Sequence, residues 1–229
     1  MPQEDNIGSV QDQLETLRRE IDRLDDAMLA LVEQRVMAAV GVAELKRSEQ
    51  DPRLRLRPAR EAAVIERLVG QARHSPEPLV RQIWQEIMAG CLGLQVDTLL
   101  VLHASRNPAI LVDAMRKRFG CAAKMTVVGS AGEALDAARK QEAVAVIELD
   151  PGTSWWAALA GESAVAPFEC LRDDTGSAIG IAVGRIAAED LRSCPHISVV
   201  DAGAAAEDDE LLASSGNLGL VLSSSWAAA

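Results

Sequence analysis

Residues 14–46 read LETLRREIDRLDDAMLALVEQRVMAAVGVAELK. Within them Leu14, Leu17, Ile21, Leu24, Met28, Leu31, Arg35, Ala38, Val42 and Leu45 recur at alternating steps of three and four. That spacing places them on one seam of a long helix, predicted over about residues 12–48. At ~1.5 Å per residue such a helix exceeds 50 Å, so its apolar stripe needs another long helix or another chain to cover it. Arg35 stands on this seam where a leucine belongs. An unpaired guanidinium in a packed interior is too costly to keep, so Arg35 calls for an anion from the protein or a ligand. The alternative is an arginine that snorkels to water or pairs with an acid of another helix.

Composition narrows the class. The 229 residues carry 48% hydrophobic and only 3% aromatic side chains, with no Tyr, so the cores are aliphatic. Net charge is -11, which argues against nucleic acid or an anionic membrane surface as partner. Residues 1–96 hold 13 Lys and Arg against 16 Asp and Glu, while residues 97–229 hold 10 against 18. The first part can therefore form a local cationic site in an acidic protein. No secretory signal and no apolar run long enough to span a membrane is found. Cys91, Cys121, Cys170 and Cys194 are irregularly spaced and form neither a metal motif nor a disulfide framework. A cytoplasmic protein without metal is expected.

Along the chain, residues 1–11 read as a disordered tail. Residues 48–57, with Pro52, Arg53, Arg55 and Arg57, read as a loop. Pro58 opens a second helix that ends near Arg73, and residues 74–78 break the chain before a third helix reaching Gln95. Past Val96 the pattern changes. Strands are predicted at 99–103, 124–128, 143–149, 165–171, 177–186, 197–201 and 218–222. Helices at 108–118 and 131–140 alternate with the first three, which implies crossover connections and a mainly parallel sheet. The expected fold is therefore multidomain: a helical domain at 12–96 and a small α/β domain at 97–229.

Helical geometry then sorts the charges. Arg35 and Lys46 are eleven residues apart, so they share a face at about 16 Å spacing and can bracket a small dianion. Arg18 lies about 25 Å from Arg35 and about 100° around, so a second chain more easily supplies it to the same site. Trp84, Met88, Cys91 and Gln95 follow four-three-four spacing, which puts the Gln95 amide on an apolar face. Taken singly, Gln95 is also explained by solvation, Cys91 by core packing, and Arg60-Glu61 by a surface pair.

Together these residues carry a resemblance. Leu17-Arg18-Arg19-Glu20-Ile21-Asp22-Arg23-Leu24-Asp25, Leu31-Val32-Glu33-Gln34-Arg35, Lys46, Arg60-Glu61 and the helix ending at Gln95 resemble the all-helical chorismate mutases. The resemblance covers about residues 12–96. It implies an all-α intertwined homodimer in which Arg18 crosses to the partner's site, and a cofactor-free rearrangement of chorismate to prephenate. By the same resemblance, Arg18 and Lys46 hold the enolpyruvyl carboxylate, Arg35 the ring carboxylate and Cys91 sits beside it. Glu61 accepts from the ring hydroxyl, Arg60 is a neighbouring charge, and Gln95 and Lys46 donate to the ether oxygen. Two positions depart from the family pattern: Arg57 stands where an Asp is common, and Cys91 where Ser is common.

Residues 97–229 faintly resemble prephenate dehydratase, with Ser177-Ala178-Ile179 near the place of a Thr-Arg-Phe signature that this chain lacks. The expectation is a truncated or degenerate relative without dehydratase activity. Trp155-Trp156 read as core packing or a subunit contact, and His103 as a structural histidine. Two alternatives to the mutase remain: an isochorismate-pyruvate lyase on the same scaffold, and a catalytically weak mutase-like regulator or scaffold.

Overall fold

The computed structural model describes residues 4–46, 56–95, 98–140, 143–187, 191, 196–201 and 203–223 of the 229. The arginine-bearing stretch 48–55 and Val96, where the composition changes, lie outside them. By packing, the chain divides between Glu49 and Gln50.

The first unit is helix α1, Glu4–Lys46. Its 43 residues rise about 64 Å. It starts eight residues before the expected position, so residues 4–11 are helical where a disordered tail is expected. The seam is uncovered along much of its length: Leu14, Leu17, Ile21, Leu24, Met28 and Leu31 are 43–64% exposed.

The second unit begins with helices α2, Pro58–Gln71, and α3, Glu77–Gln95, which pack on each other. Pro58 supplies a fixed φ at the first turn of α2, where its missing N–H costs nothing. Strand β1 (Leu99–His103), helix α4 (Pro108–Phe119), β2 (Lys124–Val127), helix α5 (Ala131–Lys140) and β3 (Ala143–Glu148) follow. A 3-10 turn at Trp155–Leu159 leads to β4 (Ala166–Arg172) and β5 (Ala178–Gly184). The chain closes with β6 (His196–Asp201), β7 (Glu210–Ser215) and β8 (Leu218–Ser223).

Five strands form a mixed sheet in the order β2-β1-β3-β5-β4. The parallel pairings are β2 with β1 and β1 with β3, the strands joined by crossover helices. β5 runs antiparallel to both β3 and β4. Only five residues separate Arg172 from Ala178, far fewer than the dozen a parallel crossover needs, so β4 and β5 must form a hairpin. Parallel pairing therefore stops at β3, and the second sheet, β6-β8-β7, is wholly antiparallel.

The two faces of the larger sheet follow from alternation along its strands. Leu100, Leu102, Val144, Val146 and Ala182 face α4, meeting Leu111, Ala114, Met115 and Phe119. Val101, Ala145, Ile147, Ile181 and Val183 face the other way, toward Ala134, Leu135 and Ala138 of α5. Trp156, with Ile197 and Leu220 of the second sheet, completes that layer. The core reading of Trp156 therefore holds.

Helix α4 ends at Gly120, whose φ of +88° lies in the region that side chains strain to adopt. A Cβ there would also sit 2.6 Å from the Ala89 Cβ on α3. The bare backbone of Gly120 is what lets α3 approach the end of α4. Gly120→Ala is expected to destabilise the second unit by about 1–3 kcal/mol, from backbone strain and overpacking together. Thermal denaturation followed by circular dichroism would check this; an unchanged midpoint would count against the close approach.

Candidate active site

On α1 the three basic candidates stand on one uninterrupted helix. Arg18 is exposed and lies 3.6 Å from Glu15, a surface pair of little energetic weight. Arg35 is half-buried. Lys46 is the last helical residue. With α1 continuous, Arg18 and Arg35 remain about 25 Å apart within one chain.

In the second unit the structure brings Glu61 into a site that sequence reading did not anticipate. Glu61 lies in the first turn of α2, on the same face as the buried Pro58 and Ile65. Its Oε2 accepts a hydrogen bond from Nη1 of Arg118 at 3.0 Å. The same guanidinium donates from Nε to Glu169 on β4. The Arg118, Glu61 and Glu169 side chains are 17%, 20% and 28% exposed. Burial alone disfavours the Arg118 charge, but Glu169 and Glu61 outweigh it and hold its pKa above the ordinary arginine value. Arg118 also lies 5.2 Å from the Phe119 ring centroid, and Phe119 meets Phe168 edge to face.

Glu61 and Arg118 line a cavity of about 300 Å³ with Ile65, Arg81, Phe168 and Glu169. Arg81 is held by Glu66 and Glu77, which keep its pKa raised, and Arg172 on the same wall pairs with Glu210. Burial pushes the Cys170 thiol there up to about 11, so it stays protonated at neutral pH. A smaller cavity joins Glu61 and Arg118 to Met88 of α3. Cys91 is buried one turn beyond Met88, and Gln95 is half-buried two turns beyond it. Neither lines these cavities. Arg60 is exposed, as is Arg57, whose carbonyl accepts the Glu61 N–H at 3.0 Å.

A second polar centre sits at the end of the parallel strands. Glu148 closes β3 and is 7% exposed. Its carboxylate accepts the backbone N–H groups of Ser105 at 2.7 Å, Arg106 at 2.9 Å and Asn107 at 2.9 Å, just ahead of α4. Asp150 accepts the Ser105 hydroxyl at 2.9 Å. Trp155 Nε1 donates to the Glu148 carbonyl at 2.7 Å, and His103 Nδ1 lies 3.2 Å from the Val128 carbonyl oxygen. Both side chains have structural partners here. Among the described residues no group of three or more His, Cys, Asp or Glu could hold a metal, Cys91, Cys121 and Cys170 are not in disulfides, and no helix is long and apolar enough to cross a membrane.

Residues 17–96 match the sequence model of the family described as chorismate mutase type II. All seven candidates, Arg18, Arg35, Lys46, Arg60, Glu61, Cys91 and Gln95, fall inside the matched segment. Over 128 residues the chain is 33% identical to the bifunctional chorismate mutase/prephenate dehydratase of Pseudomonas aeruginosa (strain PAO1). The match covers 54% of this chain and 34% of that protein, so the chain spans about a third of the relative's length. No solved structure matches the chain.

The cradle around Glu148 has a pH signature. Burial lifts its pKa, but the N–H groups of Arg106, Asn107 and Ser105, with the Ser105 hydroxyl, together hold it below the ordinary value. A carboxylate depressed in the folded state stabilises fully above its unfolded pKa of about 4.3 and loses that contribution as pH falls through the folded value. Glu148→Gln should therefore cost about 1–3 kcal/mol at pH 7 by leaving N–H groups poorly paired. It should also flatten the loss of stability between neutral and acid pH. Urea unfolding across that range checks both; equal acid sensitivity in the two proteins would refute the cradle.

Proposed function

We propose that this chain is a chorismate mutase that works as a homodimer in the cytoplasm, rearranging chorismate to prephenate. The observation that carries the reading is the family match over residues 17–96, which contains every basic and polar candidate. The uncovered seam of α1 supports the dimer, because six large apolar side chains in one line favour burial against a second copy. The 25 Å between Arg18 and Arg35 supports a shared site, in which the partner's helix supplies Arg18.

In this site Arg18 and Lys46 bind the enolpyruvyl carboxylate, and Arg35 binds the ring carboxylate beside Cys91. Glu61 accepts from the ring hydroxyl, next to Arg60. Two clamped carboxylates force the substrate into a compact conformer in which the ends that must bond are close. Carbon–oxygen cleavage runs ahead of carbon–carbon bond formation, so negative charge grows on the ether oxygen. Lys46 and Gln95 donate to that oxygen and stabilise the transition state more than the ground state. An acceleration of about 10⁶ requires ~8 kcal/mol of such differential stabilisation. The thiol at Cys91 donates more weakly than a hydroxyl, which lowers activity without changing its type.

Arg35→Ala is expected to reduce kcat/KM for chorismate by a factor on the order of 10²–10³ while sedimentation still reports a dimer. Pyruvate from isochorismate without prephenate from chorismate would replace the mutase by a lyase. Gln95→Glu should be nearly inactive at neutral pH and recover in acid, when the protonated carboxyl can donate; a flat profile removes Gln95 from the ether oxygen. Ile21→Glu with Leu24→Glu should give monomers with little activity, and a fully active monomer would sink the shared site.

A further inference from the structure

Between α3 and the end of α4 lies a cavity of about 240 Å³ that is lined by none of the seven mutase candidates. Its walls come in near-equal parts from the segment that matches the family and from the α/β layers, all within one packing unit. Leu56, Leu92, Leu100 and Phe119 make the lining apolar, while Ala89, Gly90 and Gly93 of α3 take up little of the space. A Cβ added at Gly90 or Gly93 would meet nothing within 4 Å, so open space reaches the bare helix there. Concave, largely apolar spaces with a few placed polar groups are where small molecules bind.

Two ionisable side chains share this lining, Glu86 of α3 and Lys124 of β2. Lys124 is exposed, whereas Glu86 is half-buried. Oε1 of Glu86 accepts from the Gln82 amide at 3.3 Å, and both its oxygens lie 3.2 Å from the Cys121 backbone nitrogen. The Cys121 thiol donates to it as well. None of these partners is charged, and among the described residues no Lys or Arg pairs with Glu86. A carboxylate drawn partly out of water beside an apolar wall gains most from a cation brought to it.

We propose that this cavity is a binding site for a small molecule with a compact apolar body and one primary ammonium group. The body fills the space beside Gly90 and Gly93, and the ammonium donates to Glu86. Free amines and amino acids share that chemistry; an amino acid's carboxylate would in addition have Lys124 on the lining to answer it. The inference stands apart from the chorismate mutase reading, because it uses no substrate of that reaction and none of its candidate residues.

The test is calorimetric titration of the full-length protein near neutral pH with 3-methylbutylamine, leucine and 3-methylbutanoate, which put different charges on one branched body. The amine is expected to bind once per chain with a Kd of about 1 mM or below, and 3-methylbutanoate about tenfold more weakly or worse. Leucine binding tighter than the amine assigns the site to amino acids, and weaker assigns it to free amines; both results support the ammonium chemistry. At net charge -11 the protein attracts any amine loosely, so two variants locate the binding. Gly93→Leu puts a side chain into the open space and suits a helix better than glycine. It should lose about tenfold or more in affinity without a lower thermal midpoint. Glu86→Gln keeps an oxygen for the Cys121 N–H and should weaken the amine by about tenfold. Equal affinity for the amine and 3-methylbutanoate overturns the proposal. So does amine binding that survives Gly93→Leu or is unchanged in Glu86→Gln, and so does no binding of either the amine or leucine.

Discussion

A guanidinium brought in among apolar side chains must find carboxylates, and at Arg118 this requirement joins three layers. The arginine stands on the face of α4 that also carries Leu111, Ala114 and Met115, all packed against the sheet. Its charge survives there because α2 contributes Glu61 and β4 contributes Glu169. Removing either acid would weaken the compensation, and removing the arginine would strand two negative charges. Helix α2 is thus tied to the α/β layers by charge, while α3 packs on both α2 and α4, and all of them share one unit with the sheet.

Helix α1 follows a different constraint. Ordinary globular helices bury one face against their own chain, but much of this seam faces outward along a length that small domains rarely reach. The same spacing that leaves the stripe open keeps Arg18 far from Arg35. In the proposed homodimer, a missing cover and a divided set of cations are answered by one event, the arrival of a second α1. In the proposed mutase, folding of the first unit and completion of its site are the same association step.

Much of this was legible in the residues. The step of three and four fixed α1, Pro58 fixed the start of α2, and β1 and α5 occupy the residues expected of them. Strand β7 escaped notice because Glu210–Ser215 has no β-branched or aromatic residue. The signal that would have found it is Gly216-Asn217, a two-residue hairpin connection with φ of +58° at the glycine. Arg118 was missed for a simpler reason. Seven residues after Leu111 and four after Ala114, it breaks an apolar helix face as Arg35 does, and the same rule would have marked it. Glu148 offered no such sign, since a lone acid at a strand end shows its role only when a distant loop folds over it.

That loop has a further meaning for the α/β part. In sheets with parallel strands, the space above their carboxyl ends, facing a helix start, is where a phosphate or acid group of a small molecule customarily settles. Here the socket comes already filled by a tethered plug from the neighbouring strand. An incoming anion would have to evict Glu148 and strip Ser105, Arg106 and Asn107 of their partner before gaining anything itself. At that position the layer is built to stay shut, and its shape is spent on holding its neighbours still.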